Sequence, residues 1–296
     1  MPDLLTTDEA AAHLRLSERK LYELVAAGAV PCTKVTGRWL FPKAALDHWV
    51  LSGLIAGVTL ARVDTPPIIG GSHDPLMEWA LRESACGLAS LAEGSESGLR
   101  RLTRGEVMAA AIHMHRLDGG DDETANANAV ALADGLYDGV LIAFARREQG
   151  LLVTEGNPMR LSDMQSVAKA KARVTQRPEG AGAQLLQLTL IAQAGLKPDD
   201  IIAAKPICAT GPDVAQAIRA GRADCGIATR AVARVPGVEF VPLVWERFDI
   251  AIRQRDYFRP GPQALFNFLR SPAFASHAAE LGGYDVTETG SVRHLN

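Results

Sequence analysis

Four short segments combine glycine with serine, threonine or another helix-capping residue, and each stands where a helical pattern begins. They are Gly70-Gly71-Ser72-His73-Asp74-Pro75, Gly94-Ser95-Glu96-Ser97-Gly98, Gly180-Ala181-Gly182-Ala183-Gln184 and Thr210-Gly211-Pro212-Asp213. Glycine lets a ligand approach the backbone, free amides at a helix start carry partial positive charge, and hydroxyls add directed donors. Together the segments predict a cleft that binds an anion or a polar ligand, although each alone could equally be a helix cap.

Residue types that do catalysis or bind metal are present without a complete set. His113 and His115 would point to one face of a strand, but no third metal ligand is evident in the sequence, so no metal site is predicted. No Ser or Cys nucleophile can be placed beside His73, and Asp74 is interpreted as a cap. The sequence therefore predicts a protein that is not an enzyme and that needs no cofactor.

From residue 68 onward, short apolar runs alternate with helical segments, which predicts a parallel α/β architecture. The predicted strands are 87–91, 107–113, 139–145, 151–153, 173–176, 226–229 and 240–243, and the predicted helices are 75–83, 98–104, 183–194, 214–220 and 263–270. This part is large for one compact sheet, so it could form two lobes.

The first fifty residues have a different pattern. Thr6 and Glu9 have the spacing of a capping box for a helix over 7–14, and Ser17 can cap a second helix. Two β-prone runs around Thr36-Gly37 predict a hairpin, and Pro42 predicts the start of a third helix that includes 44–50. Helix, turn, helix, hairpin and helix are the layout of a winged helix-turn-helix.

Charge supports a DNA contact in this region. Residues 15–43 carry six basic and two acidic side chains, a balance of +4, whereas the whole chain of 296 residues has a net charge of −3. Such charges can contact phosphates, and exposed residues of the second helix can read base edges. The alternative is solvated surface charge. The predicted DNA-binding residues are Ser17, Arg19, Lys20, Lys34 and Arg38.

The overall composition is that of a globular protein of about two domains, with 47% hydrophobic and 22% charged residues. It excludes a disordered chain, a disulfide scaffold and a polycation. The four cysteines are far apart in sequence and are expected to be reduced. No signal peptide and no membrane span are expected, so the predicted location is the cytoplasm.

The N-terminal motifs resemble a known family. The segments Thr7-Asp8-Glu9-Ala10-Ala11, Ser17-Glu18-Arg19-Lys20-Leu21-Tyr22, Gly28-Ala29-Val30-Pro31 and Gly37-Arg38-Trp39-Leu40-Phe41-Pro42 are similar to successive signatures of the excisionase-type helix-turn-helix, related to the MerR group. The resemblance covers about residues 3 to 51.

A second resemblance covers nearly all of residues 68 to 290. Segments such as Gly71-Ser72-His73-Asp74-Pro75, Arg177-Pro178-Glu179-Gly180-Ala181-Gly182 and Gly221-Arg222-Ala223-Asp224-Cys225-Gly226 resemble the periplasmic-binding-protein-like domain of cytoplasmic regulators and of molybdate-binding-protein relatives. The resemblance implies a type II fold, with two α/β lobes joined by two crossing strands near 140–153 and 241–252.

The two resemblances set the domain boundaries and the ligand site. We expect a winged helix-turn-helix over 1–54, a linker over 55–67 and the sensing domain over 68–296, with lobe one formed by 68–145 and 245–296 and lobe two by 150–240. The implied ligand-binding residues are Ser72, Ser95 and Ser97 of lobe one, His113 at the cleft floor, and Arg177, Gly182, Thr210 and Asp213 of lobe two. Asp213 would repel a dianion unless it caps its helix.

The expected function is a one-component transcriptional regulator, a homodimer that binds a double-stranded DNA operator and senses a small anion. Molybdate or tungstate is the first expectation for the effector. The alternatives are an organic anion, because Arg177 also suits carboxylates, and an excisionase-like architectural protein without a ligand. An enzyme on this fold and a transporter's solute-binding protein are less well supported.

Overall fold

The computed structural model describes residues 3–34, 37–52, 64–115, 122–205 and 207–295. The chain divides into two compact units, Met1–Asp64 and Thr65–Asn296. Most of the predicted linker, residues 55–63, lies outside the described residues.

The first unit contains β1 (Leu4–Leu5), α1 (Thr7–Leu14), α2 (Glu18–Ala26), β2 (Phe41–Pro42) and α3 (Lys43–Ser52). The predicted capping box is present, because the side chain of Glu9 accepts from the Thr6 backbone N–H. A small apolar core holds the helices together and includes Ala10, Ala11, Leu21, Val30, Phe41 and Leu46. This unit is the predicted helix-turn-helix.

The hairpin and the start of the third helix can be compared with their predictions. Thr33 and Leu40 exchange backbone hydrogen bonds at 2.8 and 2.9 Å, as a hairpin requires, while Val35 and Thr36 at the predicted turn lie outside the described residues. The prediction that Pro42 starts the third helix was wrong. Pro42 belongs to β2, where it pairs with Leu4, and the helix begins at Lys43.

The first half of the second unit begins with β3 (Ile68–Gly71), α4 (Pro75–Glu83), β4 (Ala89–Ala92), α5 (Ser95–Thr103), β5 (Ala109–Ile112), α6 (Ala125–Ala131) and β6 (Gly139–Thr154). The next part adds α7 (Met164–Ala170), β7 (Arg173–Val174), α8 (Gly182–Gln193), β8 (Ile202–Ala203), α9 (Gly211–Arg219) and β9 (Cys225–Thr229). The chain ends with β10 (Val238–Arg253), α10 (Gln254–Tyr257), α11 (Pro260–Leu269), α12 (Pro272–Leu281), β11 (Tyr284–Asp285) and β12 (Val292–Leu295).

The strands of this unit follow the order β4-β3-β5-β10-β6-β9-β7-β8, with β11 and β12 also paired to β6. The two long strands β6 and β10 are antiparallel neighbours at the centre, and they run through both lobes. In one lobe β10 pairs with β5, and in the other β6 pairs with β9. This is the type II periplasmic-binding-protein-like fold with two crossing strands.

Gly150 allows the two crossing strands to approach at their middle. A Cβ at this position would lie 2.1 Å from the carbonyl oxygen of Val241 and 2.7 Å from the ring of Phe240. The neighbouring irregularity in β10, between Pro242 and Val244, fits this close approach. Each lobe has its own apolar core on the flanking helices, one around Phe144 and Phe248 and the other around Val153 and Val174.

In the second unit, most helices begin earlier than the sequence pattern predicts. The segments predicted at 98, 183, 214 and 263 begin at Ser95, Gly182, Gly211 and Pro260 instead. Glycine, proline and serine fill the first turns of α5, α9 and α11, so apolar periodicity becomes visible there only after one turn, whereas the start of α8 was missed by one residue. Within the described ranges, none of the helices is long and apolar enough to cross a bilayer.

Candidate functional site

A cavity of about 50 Å³ lies between the two lobes, and each of the four glycine-containing segments contributes to its wall. Ser72 and Gly94 come from the starts of α4 and α5 in one lobe, and Gly182 and Gly211 come from the starts of α8 and α9 in the other. The fold therefore brings together segments that are up to about 140 residues apart in sequence. Further lining residues are His73, Glu93, His113, Arg147, Gln149, Arg177 and Thr229.

The start of α8 offers hydrogen-bond donors to this cavity. Gly182 and Ala183 both line it, and among the described residues neither backbone N–H donates to a backbone acceptor. Unsatisfied amides at a helix start carry partial positive charge and suit an anion.

Arg177 adds a formal positive charge to the cavity wall. Its Nη2 donates to the carbonyl oxygen of Ala209 at 2.9 Å. In the part of the chain that the structure describes it forms no salt bridge, and the carboxylate of Asp213 acts on it only through its charge. Burial lowers the pKa of Arg177 to about 10, so the guanidinium is still charged at neutral pH. A cation that is partly desolvated and unpaired favours an anionic ligand.

Three buried polar atoms of the cavity lining have no hydrogen-bond partner among the described residues. They are the Nε of Arg177, the Oε1 of Gln149 and the Oγ1 of Thr229. Buried polar atoms in native proteins are nearly always hydrogen-bonded, so these atoms indicate a place for a ligand or for ordered water.

A buried network of charges lies at the cavity floor, where the crossing strands meet. Arg147 of β6 bonds Asp74 through Nη1 at 2.8 Å and Glu246 of β10 through Nε at 2.6 Å. Glu246 also accepts from Gln149 at 2.9 Å and contacts His113 Nδ1 at 3.0 Å. Arg147 and Glu246 were not among the predicted ligand-binding residues. The polar residues within the long apolar strand β6 were the available signal.

Burial acts in opposite directions on the pKa values of His113 and Glu246 at the cavity floor. It lowers the pKa of His113 to about 4 despite the attraction of Glu246, so the imidazole is neutral at neutral pH. Burial alone would raise the pKa of Glu246, but His113 and Arg147 outweigh it and keep that pKa well below the usual value.

These shifts predict that the second unit loses stability as the pH falls from about 6.5 to 4. In this range the unfolded chain protonates His113 while the native protein does not, so protons favour unfolding. Below about pH 4.5 the unfolded chain also protonates Glu246 while the native protein keeps it ionised, which acts in the same direction. Urea unfolding at pH 7, 5.5 and 4.5 measures the effect, and His113→Gln should flatten the slope by about one proton. A free energy of unfolding that is constant or that rises on acidification would contradict the prediction.

The predicted ligand residues divide into two groups. Ser72, His113, Arg177 and Gly182 line the cavity. The structure does not bring the other four there: Ser95 uses its hydroxyl on the backbone of His113, Ser97 accepts from Arg100, and Thr210 and Asp213 cap α9 reciprocally. Asp213 accepts from the backbone N–H and the hydroxyl of Thr210 and does not line the cavity.

The two lobes are in contact beside the cavity, so the structure shows a closed cleft. A Cβ on Gly182 would lie 2.3 Å from Cε1 and 2.5 Å from Nε2 of His113. A Cβ on Gly94 would lie 3.0 Å from the Cα of Ala181. The backbone N–H of Glu96 donates to the carbonyl oxygen of Gly180 at 3.4 Å. Gly182 therefore permits the closest approach of α8 to the opposite lobe.

In the first unit, the predicted DNA-binding side chains differ in what they do locally. Ser17 caps α2 by accepting from the backbone N–H of Lys20. The side chains of Arg19 and Lys20 are 91% and 56% exposed, and both are paired with Glu23. Lys34 lies over the ring of Trp39, and Arg38 is exposed. The cations are available on the surface, as a phosphate contact requires.

Comparison with known families agrees with both units. Residues 78–270, more than half of the chain, match the PBP superfamily domain, and residues 4–53 match a helix-turn-helix domain. The chain belongs to the PBP superfamily. It is thus a PBP-like domain fused to an N-terminal helix-turn-helix, the architecture of a DNA-binding regulator with a ligand-binding domain. Both matched families are binding domains.

One relative of this PBP superfamily member matches almost the full length of the chain, and two solved structures match about 72% of it. The uncharacterised protein YvgK of Bacillus subtilis (strain 168) is 26% identical over 97% of this chain and 96% of its own. The tungstate ABC transporter structure from Geobacter sulfurreducens covers 72% of this chain and 98% of its own, with a TM-score of 0.50 and 14% identity. The structure of a putative phosphate ABC transporter substrate-binding protein with bound phosphate, from Clostridium perfringens, covers 72% of this chain and 96% of its own, with a TM-score of 0.52 and 13% identity. These two structures share the fold.

Proposed function

We propose that this protein is a one-component transcriptional regulator that binds a compact oxyanion between its two lobes. Molybdate and tungstate are the first candidates for this oxyanion. The proposal rests on one observation: the cavity wall contains both the free backbone amides at the start of α8 and the guanidinium of Arg177, which forms no salt bridge among the described residues. Amides, hydroxyls and a guanidinium together match an oxyanion with several acceptor oxygens.

The size of the cavity favours a compact ligand over a bulky organic anion. One water needs roughly 10–15 Å³ of such volume, so 50 Å³ holds a few waters or one small ion. Pockets for drug-sized molecules are several times larger, at about 300–1,000 Å³. The names of the two transport proteins with the same fold specify tungstate and phosphate, which supports an oxyanion as the ligand class.

Thermal unfolding in the presence of single anions tests the ligand. The purified full-length protein is heated with molybdate, tungstate, sulfate, phosphate or a small carboxylate. A ligand at 100 times its Kd stabilises the native state by about 2.7 kcal/mol. Stabilisation by molybdate and tungstate but not by sulfate supports the proposal. Stabilisation only by the carboxylate would mean that the effector is an organic anion. If none of these anions stabilises the protein, the result favours the architectural DNA-binding alternative.

For the switch, we propose that a dimer of this chain places two helix-turn-helix units on half-sites about 34 Å apart and that anion binding changes their spacing. A ligand shifts such an equilibrium only if it binds one arrangement more tightly than the other. Operator affinity is therefore measured with and without saturating anion. Equal affinities, with the anion known to bind, would overturn the switch.

Arg19→Ala and Lys20→Ala are each expected to weaken DNA binding at moderate salt. Each exposed cation that contacts a phosphate adds about 0.9 to the slope of log K against log salt, so each variant should lower the slope by about one. Fluorescence anisotropy over a salt series measures this. Lys169→Ala, which removes an exposed charge from α7, is the matched control and should leave the slope unchanged. Slopes equal to that of the wild type would exclude these contacts.

A further inference from the structure

The buried network at the cavity floor contains a group of side chains with the composition of a metal site. His113, His115 and Glu246 each offer one ligand atom, and the three atoms lie within 4.8 Å of one another. The Oε2 of Glu246 is 3.0 Å from His113 Nδ1 and 2.7 Å from His115 Nε2. The three side chains are at most 4% exposed. Two imidazole nitrogens and a carboxylate oxygen are a donor set that zinc uses in proteins.

The surroundings hold these donors in place. The other oxygen of Glu246, Oε1, accepts from Arg147 at 2.6 Å and from Gln149 at 2.9 Å, which leaves Oε2 directed at the two histidines. The hydroxyl of Ser95 bonds both the backbone N–H and the carbonyl oxygen of His113 at 3.0 Å. Outer hydrogen bonds of this kind orient ligands in metal centres.

The local charge also favours a cation. Asp74 and Glu246 carry two negative charges, while Arg147 carries one positive charge and contacts both of them. One negative charge is therefore uncompensated within these three buried side chains. Buried charge of this kind is stabilised by pairing or by coordination to a metal.

We propose that His113 Nδ1, His115 Nε2 and Glu246 Oε2 bind a divalent transition metal ion of the zinc class beside the anion cavity. With bonds of about 2.0–2.1 Å, ligand atoms of a tetrahedral site are roughly 3.3 Å apart. Each imidazole nitrogen therefore has to move away from Glu246 Oε2 by about 0.3–0.6 Å, and the two nitrogens already lie within 4.8 Å of each other. The proposal stands independently of which anion the cavity binds.

Metal binding to untagged full-length protein tests the site. The protein is stripped with a chelator, titrated with Co²⁺ by visible absorption, and then with Zn²⁺ in competition. We expect one ion per chain. His113→Gln and His115→Gln should each weaken binding by more than about 100-fold, since loss of outer partners alone costs 10- to 100-fold. His277→Gln is the matched control, because His277 contacts Glu280 and lies outside both the donor set and the cavity lining.

Absence of stoichiometric binding, or variants that bind as tightly as the wild type, would overturn the proposal and leave a metal-free hydrogen-bonded cluster. If either variant does not fold, X-ray absorption of the cobalt-loaded wild type decides, since two imidazole ligands support the site and a shell of oxygen or sulfur alone excludes it. The anion screen on stripped protein keeps this outcome separate from that of the proposed function.

Discussion

Arg177→Met is expected to weaken oxyanion binding by about 10- to 100-fold while the free protein unfolds at nearly the same temperature. Hydrogen bonds that involve a charged group contribute about 1.5–3 kcal/mol, and 1.4 kcal/mol corresponds to a factor of ten. Arg177 forms no salt bridge among the described residues, and Asp213, whose charge acts on it, is already hydrogen-bonded in the cap of α9, so the free protein should lose little stability. Isothermal titration with the anion identified in the screen measures the change in Kd.

Two further variants separate the geometry of Arg177 from its charge. Arg177→Lys keeps the charge but loses the planar fork of donors, so it should bind with intermediate affinity. Arg222→Ala removes an exposed positive charge from the same lobe and should bind nearly as the wild type does. If Arg177→Met stays within threefold of the wild type, the guanidinium is not a ligand contact.

Gly182→Ala is expected to prevent full closure of the lobes and to weaken anion binding by about 10- to 100-fold. The added methyl group would lie 2.3 Å from the ring of His113 in the closed form. Overpacking of this kind costs about 1–3 kcal/mol, and here the lobes can avoid it by staying apart. The donor N–H of residue 182 is retained, so any loss reports closure and not a missing amide.

Small-angle X-ray scattering provides the second measurement for this variant. The wild type should become more compact when the anion is added, whereas Gly182→Ala should not. Each lobe has its own apolar core, so the variant is expected to fold. Ala181→Gly alters the same helix start without adding volume and should close normally. Wild-type affinity and compaction in Gly182→Ala would show that this contact does not limit closure.

Predictions from the sequence were most accurate where a structure depends on near neighbours. The bounds of α1 and α4 were predicted correctly, because a capping residue and apolar periodicity both occur within a few residues. Helix starts such as that of α9 were missed by three residues, since Gly211 and Pro212 fit a loop as well as a first turn.

The candidate site was predictable only in part. Arg177 and Gly182 line the cavity, but the hydroxyls of Ser95 and Thr210 are used within their own lobes. Sequence alone does not distinguish a hydroxyl that faces a ligand from one that caps a helix, because both uses favour the same residue types at the same place.

By itself, the sequence determined the two-unit organisation, the helix-turn-helix pattern and the capped helix starts that face the cleft. The tertiary structure alone decided the floor of the cleft. Arg147 and Glu246 are 99 positions apart, and His113 is 133 positions from Glu246, yet antiparallel pairing of β10 with β6 and with β5 places them in contact. Local propensity specifies helices and turns through neighbouring residues, whereas a buried charge network depends on strand register across the whole domain.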